Sequence, residues 1–255
     1  MLTPDPTFPP LLTGHAVPAS EDVFQTACDG ASAGRLSAGD LIWSRRTDVV
    51  SLAVVLEPDV SPERGVEMLF LAMVAANDAL GAITPPETAL TFLWPDVFKV
   101  NGAKVGTVRL AMSDQLDGEG APLWLTVALD FRLAPLDGPL EPGETPDRTS
   151  LIDEGAVDLD RTQVIESLSR HLLTWIHSWG VDGFAPVLEN WLFRAEGYRG
   201  PHAVETPGGT VAGTFLGLDE AGNLLLKRDA SAGGDSVSLK LYEHLSSHSL
   251  EASEA

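Results

Sequence analysis

The sequence predicts an α+β protein, in which a mixed β-sheet is backed by helices and followed by a small antiparallel barrel. Two segments, residues 61–81 and 160–191, repeat apolar residues with helical spacing, whereas other segments alternate apolar and polar residues. After Ala203 the pattern changes to short alternating runs separated by glycines and prolines. The chain has 255 residues, of which 44% are hydrophobic, so it can bury a large core.

The first part of the chain is predicted to contain a tail, one helix and two strands. Residues 1–16 form a flexible tail in this interpretation, because four of the first ten residues are prolines. Ser20 is the predicted N-cap of a helix that ends near Ala33. Residues 37–56 then predict two strands joined by a turn near Asp48.

A buried helix is predicted next, because Ser61 and Pro62 are typical of a helix start and Gly81 of a helix end. Apolar residues recur at helical spacing along the whole segment. We therefore expect one continuous helix that packs in the core.

Residues 90–110 predict a hairpin. Asn101-Gly102 is its two-residue turn, and the turn places Lys104 at the start of the returning strand. A cation at that place can hold a carboxylate or a phosphate as a point charge. A lysine exposed to solvent on a hairpin fits the same pattern, so the residues alone leave both interpretations open.

The third part of the chain returns to strand and helix signals. Residues 123–132 alternate as a strand, and residues 134–147 form a loop rich in proline, glycine and aspartate. Asp160 and Gln163 form a capping box at the start of a long amphipathic helix. A closing helix follows Gly183.

These patterns divide the chain into two folded units. We expect the main domain over residues 17–195 and the barrel over residues 200–243, because helical periodicity ends near Trp191. Residues 244–255 are polar and are expected to form a disordered tail.

The chain is strongly acidic, with a formal net charge of −21 at pH 7. Affinity for nucleic acid depends mainly on Lys and Arg, so we expect no nucleic-acid binding. No apolar run approaches the ~18 residues of a membrane span, and the N-terminus lacks signal-peptide features. The single cysteine, Cys28, cannot form an internal disulfide, which fits the cytoplasm. Cysteine and histidine spacing predicts no metal site.

The hairpin at residues 90–110 is similar to a region of the biotin protein ligases, which reads K-W-P-N-D and then K-L-A-G-I-L. Trp94 and Pro95 match this region, and Lys104 lies at the family's spacing from the tryptophan. The chain therefore resembles the biotin/lipoate A/B protein ligase family at this hairpin.

The resemblance extends over most of the chain, from Val17 to Leu241. Residues 149–151 match the family's T-S-L, and residues 183–191 match its G-F-x-P pattern followed by tryptophan. It implies a mixed sheet of the class II synthetase type and an SH3-like C-terminal barrel.

The resemblance also implies candidate site residues. In the family, the lysine that matches Lys104 contacts the acyl carboxylate and the acyl-phosphate bridge of the biotinyl-adenylate, so Lys104 is the catalytic candidate. The candidate nucleotide-binding residues are Arg45 and Arg46, the cations near the place of the family's G-R-G-R-R-G loop. The candidate substrate-binding residues are Ser20, Trp94, Pro95, Asp96, Val105, Gly106 and Asp130.

Several family motifs are incomplete in this chain. Only Ser20 remains of an S-T-N motif, and Asp130 stands where the family has asparagine. The G-R-G-R-R-G loop, whose donors stabilise charge on phosphates, is missing. The sequence leaves open whether Arg45 and Arg46 replace this loop or lie at a strand end in solvent.

Together, these features imply a divergent biotin/lipoate ligase-like protein that activates or transfers a small carboxylic acid through an acyl-adenylate. The acid would be biotin, lipoate or a related acyl group. ATP and Mg²⁺ are the implied cofactors, with no tightly bound structural metal. The implied partners are an acyl-carrier or biotinyl acceptor domain and a second copy in a homodimer. The incomplete motifs imply an alternative, a catalytically degenerate member that acts as a small-acid-binding or protein-interaction scaffold.

The acidic composition makes nucleic-acid binding directly testable. We expect no shift of plain duplex DNA in a mobility assay at moderate salt, because phosphates would meet a strongly negative protein. A basic DNA-binding protein in the same gel serves as the positive control. A salt-sensitive shift with this protein would contradict the prediction.

Overall fold

A computed structural model describes residues 4–86, 88–135, 147–228 and 234–245 of this protein. Within these ranges the chain forms two β-sheets and several helices. The strands are β1 (Thr13–Val17), β2 (Asp40–Ser44), β3 (Val49–Leu56), β4 (Thr91–Leu93), β5 (Val97–Val100), β6 (Ala103–Met112), β7 (Leu125–Arg132), β8 (Pro201–Thr206), β9 (Gly209–Leu218), β10 (Leu224–Lys227) and β11 (Ser236–Leu239). The helices are α1 (Val23–Ser32), α2 (Pro62–Gly65), α3 (Glu67–Gly81), α4 (Arg161–Asp182) and α5 (Ala185–Phe193).

The larger sheet has seven strands in the order β1-β2-β3-β7-β6-β5-β4. Strand β1 runs parallel to β2, and the other neighbouring pairs are antiparallel, so the sheet is mixed. Helix α1 packs on one face, and α3 and α4 pack on the other. The predicted α+β fold, a mixed sheet backed by helices, is confirmed.

Side chains alternate between the two faces along the central strands. On β3, Leu52 and Val54 enter the large core with α3, while Ala53 and Val55 pack under α1. A slip of one residue would exchange these two sets, so burial on both faces fixes the register of β3.

Helix α3 lies at the centre of the large core. Every residue from Met68 to Ala76 is buried. A helix that is apolar all round needs partners on every side, and the sheet, α4 and α5 supply them. The ring of Trp191 on α5 lies 5.1 Å from Phe70 and 5.9 Å from Phe92, measured between ring centroids. These aromatic contacts join α3, α5 and β4.

The smaller sheet has four antiparallel strands in the order β11-β10-β9-β8. Its inward residues, including Phe215 and Leu224, belong to the same hydrophobic core as α3. The indole N–H of Trp94 donates to the carbonyl of Gly222 at 3.3 Å. Gly222 has a φ of 75°, and a Cβ there would lie 2.3 Å from the ring of Phe70, so glycine is required. The predicted SH3-like C-terminal unit is confirmed as this small sheet.

Residues 4–12, here called the N-terminal arm, lie against the start of α4. The carboxylate of Asp5 forms a bidentate ion pair with Arg45 at 2.7 and 2.8 Å. The hydroxyl of Thr162 donates to the carbonyl of Pro4 at 2.6 Å. The arm then leads into β1, which pairs with β2.

The predicted flexible tail over residues 1–16 is therefore wrong for residues 4–16. Prolines interrupt regular hydrogen bonding there, but they do not prevent packing or side-chain bonds.

Helix starts are only partly as predicted. The side chain of Asp22, not Ser20, caps α1 by accepting from the N–H groups of Phe24 and Gln25 at 2.8 and 3.1 Å. The predicted capping box of Asp160 and Gln163 is confirmed.

The single helix predicted over residues 61–81 is instead divided into α2 and α3. Gly65 is the last residue of α2. Glycine is less favourable in a helix interior than every other residue except proline.

Parts of several predicted segments lie outside the described residues, including 1–3 of the N-terminal tail, 136–146 of the loop, 229–233 of the barrel and 246–255 of the C-terminal tail. Among the helices in the described ranges, none has the length and apolar character to cross a membrane.

Substitution of Trp191 tests the central aromatic contacts. We expect Trp191→Ala to lower the free energy of unfolding by about 3–5 kcal/mol, because it removes a fully buried indole. Phe193→Ala on the same helix is the matched control, since Phe193 is 85% exposed and its loss should change stability by less than about 0.5 kcal/mol. Urea unfolding of both variants measures the difference. Equal losses would contradict the packing described here.

Candidate functional site

Helix α1 covers only part of its face of the large sheet. Val23 and Ala27 pack on Ile42, Ala53 and Ala128. Beside this covered area lies a cavity of about 230 Å³. The residues that line it are Val49, Lys104, Val105, Gly106, Thr107, Asp130, Phe131, Arg132 and Arg148.

Three cations line the cavity: Lys104, Arg132 and Arg148. The backbone of Lys104 makes hydrogen bonds of 2.8 and 2.9 Å with the residues on either side of Arg148. This parallel pairing directs the side chains of Lys104 and Arg148 to the same side. The carbonyl of Arg132 accepts from the N–H of Leu151 at 3.0 Å, so the segment after Arg148 also fixes the end of β7.

Eleven of the 16 Lys and Arg residues, all of which lie in the described part of the chain, form no ion pair within it, and these three cations are among them. Within those ranges, no carboxylate lies at ion-pair distance from Lys104, Arg132 or Arg148. By contrast, Arg109, on β6 with Lys104, and Lys99, on β5, each have a carboxylate partner. The described lining of the cavity therefore has three cations and one carboxylate, Asp130, and is locally positive on a protein whose net charge is negative.

Beside the cations, a network of four residues crosses the open face: Asp22, Ser51, Arg109 and Asp130, here called the Arg109 network. Asp130 accepts from the hydroxyl of Ser51 and from Nε and Nη2 of Arg109, the latter two at 3.0 and 2.9 Å. Nη1 of Arg109 donates to Asp22 at 2.9 Å. The guanidinium also lies over the ring of Phe24, 4.8 Å from its centroid.

The Arg109 network shifts the pKa values of its members. Burial alone would raise the pKa of Asp22, but hydrogen bonds from Arg109 and from backbone N–H groups outweigh it, so the pKa lies below its ordinary value. Burial alone would lower the pKa of Arg109, but the carboxylates of Asp22 and Asp130 outweigh it and raise that pKa. The guanidinium therefore stays charged, and Asp22 stays ionised well into acid.

Four of the predicted site residues meet at the cavity: Lys104, Val105, Gly106 and Asp130. A Cβ on Gly106 would lie 2.4 Å from the carbonyl oxygen of Asp130 and 2.7 Å from the ring of Phe131. Glycine is therefore required for β6 to approach β7 closely beside the cavity.

The other predicted substrate-binding residues do not line the cavity. Ser20 is exposed in the turn before α1. Trp94 is buried against the small sheet, with its indole N–H bonded to Gly222. Pro95 is buried beside it, and the carbonyl of Asp96 accepts from the N–H of Val108. Trp94, Pro95 and Asp96 therefore hold the hairpin in place, whereas Ser20 is not part of it.

The two candidate nucleotide-binding arginines point in different directions. Arg45 lies on the α4 side of the sheet, over the ring of Trp43 and paired with Asp5, so it does not line the cavity. Arg46 is paired with Asp48 through Nε at 3.1 Å. Arg45 directly follows β2, and its N–H donates to the carbonyl of Val17 at 3.0 Å, so its side chain lies on the same side of the sheet as that of Trp43.

The sequence did not identify Arg132, Arg148, Arg109 and Ser51 as residues of this region. A signal was present for Arg132, since it lies two residues after Asp130 on one strand and therefore shares its face. Arg148 immediately precedes the T-S-L segment, but its pairing with Lys104 requires the tertiary structure.

Comparison with known proteins identifies the family to which this architecture belongs. The model of the biotin/lipoate A/B protein ligase family matches residues 8–193. This chain belongs to that family. The model of the biotin protein ligase C-terminal domain matches residues 203–241, so the family assignment covers both sheets.

Proteins named as ligases are among the relatives of this chain. The biotin–[acetyl-CoA-carboxylase] ligase of Paracoccus denitrificans is 30% identical over 177 residues, which are 69% of this chain and 73% of that protein. The bifunctional ligase/repressor BirA of Bacillus subtilis (strain 168) is 25% identical over 198 residues, 77% of this chain. Those residues are 58% of BirA, so the chain spans little more than half of that relative.

Solved structures of the family share the fold. A biotin protein ligase-like protein of unknown function from Silicibacter sp. TM1040 has a TM-score of 0.80 and 37% identity, covering 93% of this chain and 97% of its own. Biotin protein ligase from Aquifex aeolicus, solved with biotin and ATP, has a TM-score of 0.70 and 14% identity, covering 89% of this chain and 96% of its own. At that identity the second likeness shows the fold alone.

The family implies ATP and Mg²⁺, and the cavity fits them unequally. Lys104, Arg132 and Arg148 match the charge of phosphates. Magnesium at nucleotide sites uses one or two carboxylates, and among the described lining residues only Asp130 carries one, already bonded to Arg109 and Ser51. No three His, Cys, Asp or Glu side chains in the described ranges converge as a metal site. The cavity therefore suits an anion better than a metal ion.

Substitution of Arg109 tests the Arg109 network. We expect Arg109→Met to lower the free energy of unfolding at pH 7 by about 1–3 kcal/mol, because Asp130 loses its charged partner while it stays mostly buried. The part of the loss that comes from Asp22 should shrink below about pH 4, since the lowered pKa of Asp22 contributes stability above its unfolded pKa and that stability is lost as the pH falls.

Arg46→Met is the matched control, because it removes an exposed arginine–aspartate pair worth only about 0–1 kcal/mol. Unfolding by urea at several pH values gives both curves. A pH-independent loss in Arg109→Met would contradict the electrostatic explanation.

Proposed function

We propose that this protein binds a small carboxylic acid in the Lys104 cavity and, as a biotin/lipoate ligase-like protein, activates or transfers it. The single observation that supports this is the position of Lys104. Its side chain is exposed at a cavity on the open face of the sheet, and no carboxylate of the described residues is at ion-pair distance. A carboxylate ligand would supply the missing counter-ion.

Lys104 would act by charge. Its ammonium would contact the acid's carboxylate, hold it against the floor formed by β6 and β7, and neutralise charge as the acid reacts. The two backbone hydrogen bonds of Lys104 to the segment around Arg148 keep this position fixed before the acid binds.

Formation of an acyl-adenylate is the finer part of the proposal. The acid's carboxylate oxygen would attack the α-phosphorus of ATP, and pyrophosphate would leave. The match to the biotin/lipoate A/B protein ligase family model supports this reaction class. In this chain, Arg132 is the candidate cation for the phosphates, because Arg45 faces the other side of the sheet and Arg148 lies directly beside Lys104, where the acid would bind.

An acceptor protein would complete the reaction by taking the acyl group. The name of the Paracoccus denitrificans relative, a ligase for acetyl-CoA carboxylase, supports an acyl-carrier or biotinyl acceptor domain as the partner. The expected homodimer and the cytoplasmic location remain predictions.

A second candidate is a catalytically degenerate member that binds a small acid or a partner without activating it. The observation in its favour concerns the two arginines predicted to bind the nucleotide, which both have carboxylate partners within the protein. Arg45 and Arg46 are each paired with an aspartate, and the chain lacks the family's glycine- and arginine-rich loop. The loss of even one oxyanion donor can slow a reaction by ~10²–10³-fold.

Substitution of Lys104 tests the binding proposal. We expect Lys104→Ala to weaken the binding of biotin, lipoate or octanoate by roughly tenfold to a hundredfold, since a charge-assisted contact contributes about 1.5–3 kcal/mol. Folding should be unaffected, because the side chain is exposed. Calorimetry of each acid, with and without ATP, measures the change.

Lys227→Ala is the matched control, because Lys227 is also an exposed strand lysine but lies in the small sheet. Equal affinities in the wild type and Lys104→Ala would remove Lys104 from the site. We expect the wild type to form biotinyl-adenylate far more slowly than an ordinary ligase. Rapid ATP-dependent biotinylation would instead eliminate the degenerate alternative.

A further inference from the structure

We infer that the acid of the Lys104 cavity carries at least two negative charges, as a short dicarboxylate does, rather than one carboxylate on a bulky apolar ring. This inference rests on the proposed function, because it names the substrate class of the same cavity. Its evidence is separate, since it depends on Arg132, Arg148 and the Arg109 network and not on Lys104 alone.

The first argument is the spacing of the cations. Lys104 and Arg148 are direct partners in a parallel bridge, so their side chains leave the backbone side by side. Arg132 is connected to the same segment through the hydrogen bond from Leu151. Like charges held near one another repel, and a single carboxylate neutralises only one of them. A ligand with two anionic groups satisfies this arrangement better.

The second argument is the scarcity of cations. The whole chain has 16 Lys and Arg residues against 37 Asp and Glu residues. Five of those 16, namely Arg45, Arg46, Arg64, Lys99 and Arg109, are paired with carboxylates in the described structure. The other eleven form no ion pair among the described residues, and three of them, Lys104, Arg132 and Arg148, line the same cavity. Lys104 and Arg148 are therefore available to a ligand, while Arg132 also interacts with Asp48 beyond ion-pair distance.

The third argument is the polar character beside the cations. The Arg109 network occupies the sheet face between Asp130, which lines the cavity, and Asp22 at the start of α1. An apolar ring placed there would remove water from charged groups without offering them hydrogen bonds, which is unfavourable. A short ligand with polar groups at both ends avoids this cost. The cavity volume of about 230 Å³ also suits a short molecule.

Calorimetry with glutarate and pentanoate tests the inference, because the two acids have the same chain length and differ in one carboxylate. We expect the wild type to bind glutarate at least about tenfold more tightly than pentanoate, and more tightly than biotin. Arg148→Ala should weaken glutarate binding about tenfold and pentanoate binding less than about twofold. Arg228→Ala, an exposed arginine by the small sheet, should change neither. Pyrophosphate serves as a third probe.

The outcomes separate the two proposals. If glutarate and pentanoate bind equally and both depend on Lys104, the dianion inference fails and the proposed function stands. If pyrophosphate binds through Arg148 but glutarate does not, the arginine serves a phosphate group and the inference also fails. If no acid binds, both proposals fail. Preference for glutarate that is lost in Arg148→Ala supports the inference, whatever the ligase activity proves to be.

Discussion

The alternation of side chains along β2, β3 and β7 is the constraint on which the rest of the structure depends. One set of residues, such as Leu52 and Val54, forms the core with α3. The other set lies under α1 or, beyond it, on the open face that carries Ser51 and Asp130. Because one register fixes both faces, the core and the candidate site cannot be changed independently. A substitution that shifts β3 would disturb both.

Much of the fold could be predicted from the sequence, because its signals are local. The turn at Asn101-Gly102 and the capping box of Asp160 and Gln163 are encoded within a few residues, and the structure contains both. The errors come from interactions between remote segments. Asp22 rather than Ser20 caps α1, and the same carboxylate binds Arg109, a residue from a distant strand. No local pattern distinguishes the two candidates.

The candidate site was less predictable for the same reason. Lys104 could be found because a turn and a family motif mark it, and the structure places it at the cavity. Arg45 was assigned by proximity in sequence to a missing loop, but in the structure its guanidinium lies over Trp43, on the opposite side of the sheet from the cavity. Arg148 reaches the cavity through a backbone pairing with Lys104 across more than forty residues of sequence, which spacing alone does not indicate.

The N-terminal arm limits how the length of this chain can change in evolution. It connects Asp5 to the end of β2 through Arg45, and Pro4 to the first turn of α4 through Thr162. The buried Arg161 donates to the carbonyl of Arg45 at 3.0 Å and so joins the first turn of α4 to the end of β2. An insertion or deletion between the arm and β1 would place Asp5 out of register with Arg45. Length variation should therefore accumulate in exposed turns, and the arm should keep a constant number of residues.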